Sequence, residues 1–433
     1  MLLVGTLLTT VTLFTLSLFE GTSALPSLSV SQSFPYGLQK VRGVNIGGWL
    51  VLEPFITPTL FDNTGNDKIV DEYTFGQLAP NRAQAEAALK QHWDTFITEE
   101  DFAQIAAAGL NHVRIAIGYW AFKTLPGDPY ISGQLPYLKT AIGWARTHGL
   151  NVIVDLHGAP GSQNGFDNSG QKLDHPGWHT QQTNIDITNE VLRMIVDQFG
   201  GDSTVPTIAP LNEPAAFAED IMNATKKYWL DSYDSIRYPQ GKGLLEWESN
   251  TMVLIHDAFQ GVKFWNGFMP SPKYENYGLD KHIYQIFSND EVSRNEAEHI
   301  RVACNYAEEI TSAEDFFVII GEWAPVATDC ARNLNSRGMG PRYDGTYPGS
   351  SRIGSCEGKT GDASDFSLEF KDFMRQYWEA QVTTYEKADG WLQWTWKTEG
   401  GNSEWSYKSG LENGWIPQDP TDLKYPDICQ RFQ

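Results

Sequence analysis

The chain is short of positive charge: 32 Lys and Arg stand against 54 Asp and Glu, a formal net charge of −22 over 433 residues. A polyanionic partner would be repelled by that field, which excludes nucleic acid as a ligand and favours a neutral one. Long apolar runs are also lacking beyond the first two dozen residues, so no later segment is suited to span a bilayer. No Gly-x-Ser-x-Gly elbow and no His-Glu-x-x-His helix occurs, and the usual signatures of a serine hydrolase and of a zinc protease are therefore missing. There is no Ser/Gly linker, no repeat and no shift in composition, which argues for one domain rather than several. Cysteine is scarce, at four residues.

What is present begins with an exceptional N-terminus. Residues 1–19 carry no charged side chain and are followed by Gly21-Thr22-Ser23-Ala24, small residues where a signal peptidase can cut. Residues 1–24 read as a secretory signal and residues 25–433 as a single domain, secreted or wall-bound, with no stable membrane association and working as a monomer. Export gives the cysteines a meaning, because thiols outside the cell oxidise. Four allow three pairings. Spacing favours Cys330 with Cys356, closing a short loop, and Cys304 with Cys429, tying down the C-terminus. Asn223-Ala224-Thr225 is an N-glycosylation sequon, usable if it is exposed.

Composition of 41% hydrophobic and 13% aromatic residues is enough for a large core. Runs of β-forming residues recur at 41–45, 112–117, 152–156, 207–211, 252–256, 282–287, 317–321 and 391–396. Amphipathic stretches at 98–108, 137–148, 186–199 and 366–387 lie between them. Alternation of this kind predicts a parallel sheet, and eight units over this length predict a (β/α)8 barrel with enlarged loops at the C-terminal rim.

Two carboxylates then stand out. Glu213, in Leu211-Asn212-Glu213-Pro214, follows the fourth predicted strand; Glu322, in Gly321-Glu322-Trp323, follows the seventh. Burying either costs several kcal/mol unless it is paired, and barrel enzymes place their chemistry at this rim. Facing carboxyls support glycoside hydrolysis, one protonating the leaving oxygen while the other attacks the anomeric carbon or activates water. Other rim residues fit. Arg114 is placed to bond Glu322 and hold it ionised, Asn212 to hold a sugar 2-hydroxyl, and His157, His282 and Tyr284 to donate to substrate or to the carboxylates. Trp394 offers a flat face to a pyranose, whereas Trp396 suits packing equally well.

The strings Arg42-Gly43-Val44-Asn45-Ile46-Gly47-Gly48-Trp49-Leu50, Asp155-Leu156-His157-Gly158-Ala159-Pro160-Gly161-Ser162-Gln163-Asn164-Gly165, Leu211-Asn212-Glu213-Pro214, His282-Ile283-Tyr284-Gln285-Ile286-Phe287, Gly321-Glu322-Trp323 and Trp394-Thr395-Trp396-Lys397-Thr398-Glu399 together resemble the fungal exo-β-1,3-glucanases of glycoside hydrolase family 5. The resemblance runs from about Gly37 to Cys429. It implies a retaining enzyme without cofactor or metal, with Glu213 as acid/base, Glu322 as nucleophile, and Arg114, His157, Asn212, His282, Tyr284 and Trp394 around the first sugar. It further implies that Glu53 holds the non-reducing-end glucose and that Phe166 and Phe287 flank the entrance, with Asp167 and Asn168 lining the pocket. The cysteine positions also match, which supports the pairing above. Ala116 departs from a frequent proline, and residues 172–183, with His175 and His179, do not align and are expected to reshape the outer subsites.

Three alternatives compete. The same carboxylates can serve β-1,6-glucan, a small glucoside or sugar transfer. A metal-dependent hydrolase would draw ligands from Asp155, His157, His175, His179, Glu213, His256, His282 and Glu322. A secreted glucan-binding wall protein would keep the barrel without turnover.

Overall fold

The computed structural model describes residues 34–242 and 248–432, so the proposed signal at residues 1–24 lies outside the described residues. Eight strands, β1 (Val41–Ile46), β2 (His112–Gly118), β3 (Asn151–Gly158), β4 (Thr207–Ala209), β5 (Met252–His256), β6 (Tyr277–Ile283), β7 (Phe317–Trp323) and β8 (Gly390–Gln393), form a closed barrel in chain order. Every pairing is parallel, and β1 closes on β8 from Val41↔Gly390 to Val44↔Gln393. This is the expected (β/α)8 barrel, with both expected disulfides, Cys304–Cys429 and Cys330–Cys356.

One strand was misplaced by sequence pattern. The sixth runs through Tyr277–Ile283 rather than 282–287, because Asp280 and Lys281 interrupt its apolar character and hide it. Residues 284–287 form the turn beyond it. The fourth and eighth strands also stop earlier than expected, at Ala209 and Gln393.

Pleating explains how one barrel has a dry floor and a polar mouth. Successive side chains on a strand face opposite sides. Outward residues such as Val152, Val154 and Leu156 of β3 and Val253 and Ile255 of β5 pack into the main core under the helices. Inward residues Ile153, Met252, Leu254, Ile319 and Leu392 fill the barrel floor with Phe34 and Val41. Each large side chain so buried stabilises the fold by roughly 1.5–3 kcal/mol. Further along the same inward rows come polar residues: Asp155 after Ile153, His256 after Leu254, and Asp280 with His282.

β7 breaks this alternation once. Lys281 pairs with Ile320 but His282 pairs with Glu322, leaving Gly321 as an extra residue. Val318, Ile320 and Trp323 all pack outward in the main core. Strict alternation would send Glu322 outward with Val318 and Ile320 and turn Trp323 inward; the bulge resets the phase and reverses both.

Helices cover the outside. Helix Leu368–Tyr385, capped by Ser367, buries Phe373, Met374, Tyr377, Trp378 and Gln381 at the three- and four-residue spacing of one face. Helix Glu296–Ile310 begins in a reciprocal cap between Asn295 and Glu298 and carries Cys304, which ties it to the C-terminal turn. Asn223 is exposed on helix Glu219–Arg237, while Thr225 of its sequon is buried.

Candidate active site

Glu213 sits beyond β4 with φ of +46°, a left-handed conformation that residues with a side chain seldom adopt. Such backbone costs on the order of 1–3 kcal/mol and persists only where surroundings enforce it. Here they do. Its Oε1 lies 2.7 Å from His282 Nδ1, and its Oε2 accepts from Asn168 Nδ2 at 3.0 Å.

Glu322 faces the same space. Its Oε1 accepts from Arg114 Nη1 at 3.0 Å and its Oε2 from the Tyr284 hydroxyl at 3.1 Å. His282 Nδ1 is 3.5 Å from that Oε2 as well. One imidazole nitrogen therefore bridges both carboxylates, and their nearest oxygens are closer than those two spans laid end to end.

Arg114 is the hub beneath them. At 1% exposure it bonds Asn45 Oδ1 at 3.1 Å and Asn212 Oδ1 at 2.7 Å, besides Glu322. It also lies 3.3 Å from Asp155 and 3.4 Å from Asp280. Burial opposes its charge, but the carboxylates of Asp155, Asp280 and Glu322 more than offset this and hold it above its ordinary range. Asp155 in turn bonds His157 Nδ1 at 2.6 Å, and His157 Nε2 is 3.4 Å from Asn212 Nδ2. That chain leaves His157 protonated on Nδ1 and orients the amide beside Glu213.

The acidities are ordered differently from expectation. Burial would raise Glu213, but the hydrogen bond and charge of His282 pull it down to about 2. His282 itself is pushed well up against the desolvation it suffers, by the charges of Glu322 and Asp280 and its bond to Glu213. Glu322 is raised, first by burial, with Glu213's charge adding to it. Arg114 divides its charge among three carboxylates, whereas Glu213 has the imidazole closest, which is why Glu213 is lowered while Glu322 is raised.

The remaining expected residues fall around this centre. Glu53 is buried, and its Oε1 has no partner among the described residues. Burial, then the charges of Glu322, Asp167 and Glu213, push it well up. Asp167 is raised to about 6 by burial, with Ser336 bonding it in the opposite sense. Asn168 touches Glu213 directly. Trp394 is buried and stacks on His157 at 5.6 Å. Phe166 and Phe287 are 44% and 47% exposed, unusual for such side chains and suited to an entrance. Trp396 packs instead, donating its indole N–H to Asp101 at 2.9 Å. Residues 172–183 back the pocket loop: Leu173 N–H bonds Gly165 O, Gly177 N–H bonds Gly161 O, and Lys172 N–H bonds Asp71. His179 meets Asp220 away from the centre.

Asn45, Asp280 and His256 were not singled out around the catalytic pair by sequence. Asp280 and His282 stand two apart on one strand, as do Asp155 and His157, and that period was the available signal. Glu213, His256 and His282 offer ligand atoms within 4.8 Å of one another. The set suits a metal poorly. His256 Nδ1 accepts the Ala258 N–H at 3.0 Å, which leaves the proton on Nε2, and His282 Nδ1 is engaged by Glu213.

A closed barrel whose mouth holds two bridged carboxylates over a buried arginine defines a glycosidase architecture. The family model described as Cellulase (glycosyl hydrolase family 5) matches residues 78–338. "Probable glucan 1,3-beta-glucosidase A" of Aspergillus niger is 43% identical over 400 residues, covering 92% of this chain and 92% of that protein. "Glucan 1,3-beta-glucosidase" of Blumeria graminis is 44% identical over 416 residues, covering 95% and 94%. Among solved structures, rutinosidase from Aspergillus niger superposes with a TM-score of 0.68 at 22% identity, covering 89% of this chain and 99% of that one. That last likeness speaks to the fold alone. The chain belongs to glycosyl hydrolase family 5 and is a glycoside hydrolase.

Proposed function

We propose that the protein is an exported exo-β-1,3-glucanase that releases glucose from the non-reducing end of β-1,3-glucan with retention of configuration. The observation that carries the reading is His282 Nδ1 standing 2.7 Å from one carboxylate and 3.5 Å from the other. Retaining pairs stand roughly 5–5.5 Å apart and inverting pairs roughly 6.5–9.5 Å. The bridge leaves too little space for an inverting water.

Glu322 is the nucleophile: two donors, Arg114 and Tyr284, fix it without needing its proton. Glu213 is the acid/base, because the His282 imidazole stands 2.7 Å from it, nearer than the 3.5 Å to Glu322. As the glycosidic oxygen enters, Glu213 takes the His282 proton and delivers it to that oxygen. The C1–O bond breaks and Glu322 forms the ester to C1. Glu213 then removes a proton from water, whose oxygen attacks C1 and frees Glu322, and that proton passes back from Glu213 to His282. Glu53 supports exo action, since burial and the charges of Glu322 and Asp167 raise it toward the protonated form, which both donates to and accepts from a terminal sugar hydroxyl. Phe166 and Phe287 at the entrance suit the faces of the next glucose. The named activity of the 41–44% identical relatives supports the linkage. Nothing in this chemistry calls for a second chain or a cofactor.

Proton NMR of laminarin digestion tests it. β-Glucose as the first product is expected. First release of α-glucose would overturn retention, release from pustulan alone would move the enzyme to β-1,6-glucan, and no product from either would leave a binding protein.

A further inference from the structure

Glu72 is a buried carboxyl that the chemistry above does not use. It opens helix Glu72–Leu78 and accepts three hydrogen bonds. Its Oε2 takes the Leu52 N–H at 2.9 Å; its Oε1 takes the Trp120 indole N–H at 2.8 Å and Gln134 Nε2 at 3.1 Å. The Gln134 amide cannot be turned over, since its Oε1 accepts the Gly133 N–H at 2.8 Å and its Nε2 also donates to the Ile131 carbonyl at 3.0 Å. Burial raises Glu72, and these three donors oppose it. A proton on either oxygen would face an N–H, so the arrangement holds the anion.

Each side of this carboxyl leads to a wall of the pocket. Leu52 immediately precedes Glu53 in the irregular stretch between β1 and helix Pro58–Asp62, so a tilt of the peptide that carries the Leu52 N–H is passed to Glu53 one residue later. Trp120 is wedged against the exit of β3: a Cβ at Gly158 would meet its ring at 2.7 Å, and one at Gly170, two residues beyond Asn168, at 2.3 Å. The neighbours of Glu72 fasten the same loop, Asp71 accepting the Lys172 N–H at 2.6 Å and Tyr73 donating its N–H to the Gly170 carbonyl at 2.8 Å. In that loop the charge of Asp167 raises Glu53 and Asn168 bonds Glu213. Both walls are thus referred to one buried carboxyl.

We propose that Glu72 is a positioning residue for hydrolysis: anchored to Trp120 and Gln134 by one oxygen, it holds the Leu52 N–H with the other and so sets where Glu53 meets the terminal sugar. That Glu53 meets this sugar rests on the function proposed above. A glutamine at position 72 matches the shape but not the pattern, because its NH2 must face either the Leu52 N–H or the N–H groups of Trp120 and Gln134. Both orientations set donor against donor and shift Leu52 relative to the barrel. A misplacement of about 1 Å beside the reacting groups costs about a hundredfold in rate.

The test is a double-mutant cycle on the full mature chain, reading kcat/KM on laminaribiose and on p-nitrophenyl β-glucoside beside the unfolding temperature. Glu72→Gln is expected to lower kcat/KM at least about tenfold on both. Added to Glu53→Gln it should lower kcat/KM by less than about twofold further, whereas added to Phe287→Ala at the entrance it should keep its full effect. Gln134→Met, which removes an anchor of Glu72 and leaves its bond to Leu52, should show the same dependence on Glu53 at a smaller size, at least about threefold; it carries the test if Glu72→Gln does not fold. A purely structural role would lower the unfolding temperature in every background and leave the kinetic losses multiplicative. That result, or full activity in Glu72→Gln, would overturn the proposal. Coupling to Glu53 on the aryl glucoside, in a protein inert on laminarin and laminaribiose, would remove the glucanase reading and leave the role of Glu72 standing. β-Glucose released from laminarin with multiplicative losses would do the reverse.

Discussion

Asp280 occupies the space that a side chain at Gly321 would need: a Cβ built there would meet Asp280 Oδ1 at 1.8 Å. The same glycine is the extra residue of β7, and its carbonyl accepts from Asn45 Nδ2 at 2.8 Å. Gly321→Ala should therefore displace the strand that aims Glu322, costing about 1–3 kcal/mol of stability and most of the turnover. Thermal unfolding and kcat read this together; unchanged kcat would mean that the bulge does not set the direction of Glu322.

Arg114→Met should destabilise the fold by about 3–5 kcal/mol, because Asp155, Asp280 and Glu322 would be left buried without their cation. Arg114→Lys keeps the charge but not the fork that reaches Asn45, Asn212 and Glu322 together. It should fold and still lose at least about tenfold in kcat. Urea midpoints and initial rates separate the two effects.

Glu322→Gln should lower turnover by about three orders of magnitude or more while sugar binding persists. His282→Gln, which removes the proton partner of Glu213, should lower kcat and make glycosyl-enzyme formation slower than its breakdown, so that no burst appears. Single-turnover kinetics with an activated aryl glucoside, whose leaving group needs no proton, should restore much of the His282→Gln rate. Failure to restore it would remove His282 from the proton's path.

His92 ties the loop after β1, its Nε2 lying 2.9 Å from Gly48 O and 3.1 Å from Trp49 O. Burial lowers it from 6.5 to about 4. The unfolded chain takes up this proton first, so the stability contributed by the neutral ring is complete above pH 6.5 and is lost as pH falls toward 4. The slope in that window is about 1.4 kcal/mol per pH unit. His92→Gln should flatten the difference between urea midpoints at pH 7 and pH 4.5; an identical slope would refute the assignment.

The disulfides should differ in what they protect. Cys304–Cys429 spans 125 residues and Cys330–Cys356 spans 26. Chain-entropy reasoning gives about 4–5 kcal/mol for the first and about 3–4 kcal/mol for the second. The shorter loop also holds the pocket, since Asn333 Nδ2 bonds the Pro54 carbonyl beside Glu53. Serine replacement of the 330–356 pair should raise KM, while replacement of the 304–429 pair should act on unfolding temperature with KM unchanged.

Much of this arrangement was legible before any coordinates because buried strands announce themselves as apolar runs. Arg114, Glu213 and Glu322 each interrupt or end such a run. β6 was read late because Asp280 and Lys281 dilute its apolar character. The inward turn of Glu322 was not legible at all: it depends on a one-residue change of phase at Gly321, stabilised by Asp280 from a different strand. Nor was the unequal acidity of the two carboxylates, which depends on His282 lying nearer to Glu213 than to Glu322.

Around the two carboxylates, Arg114, His157 and His282 face Glu213, Glu322, Asp155 and Asp280, three basic side chains against four acidic ones. The excess is negative and shielded from water. A sugar ring carrying a protonated nitrogen meets that field without waiting for bond cleavage, so a protonated imino sugar should bind more tightly than a neutral lactone of the same shape.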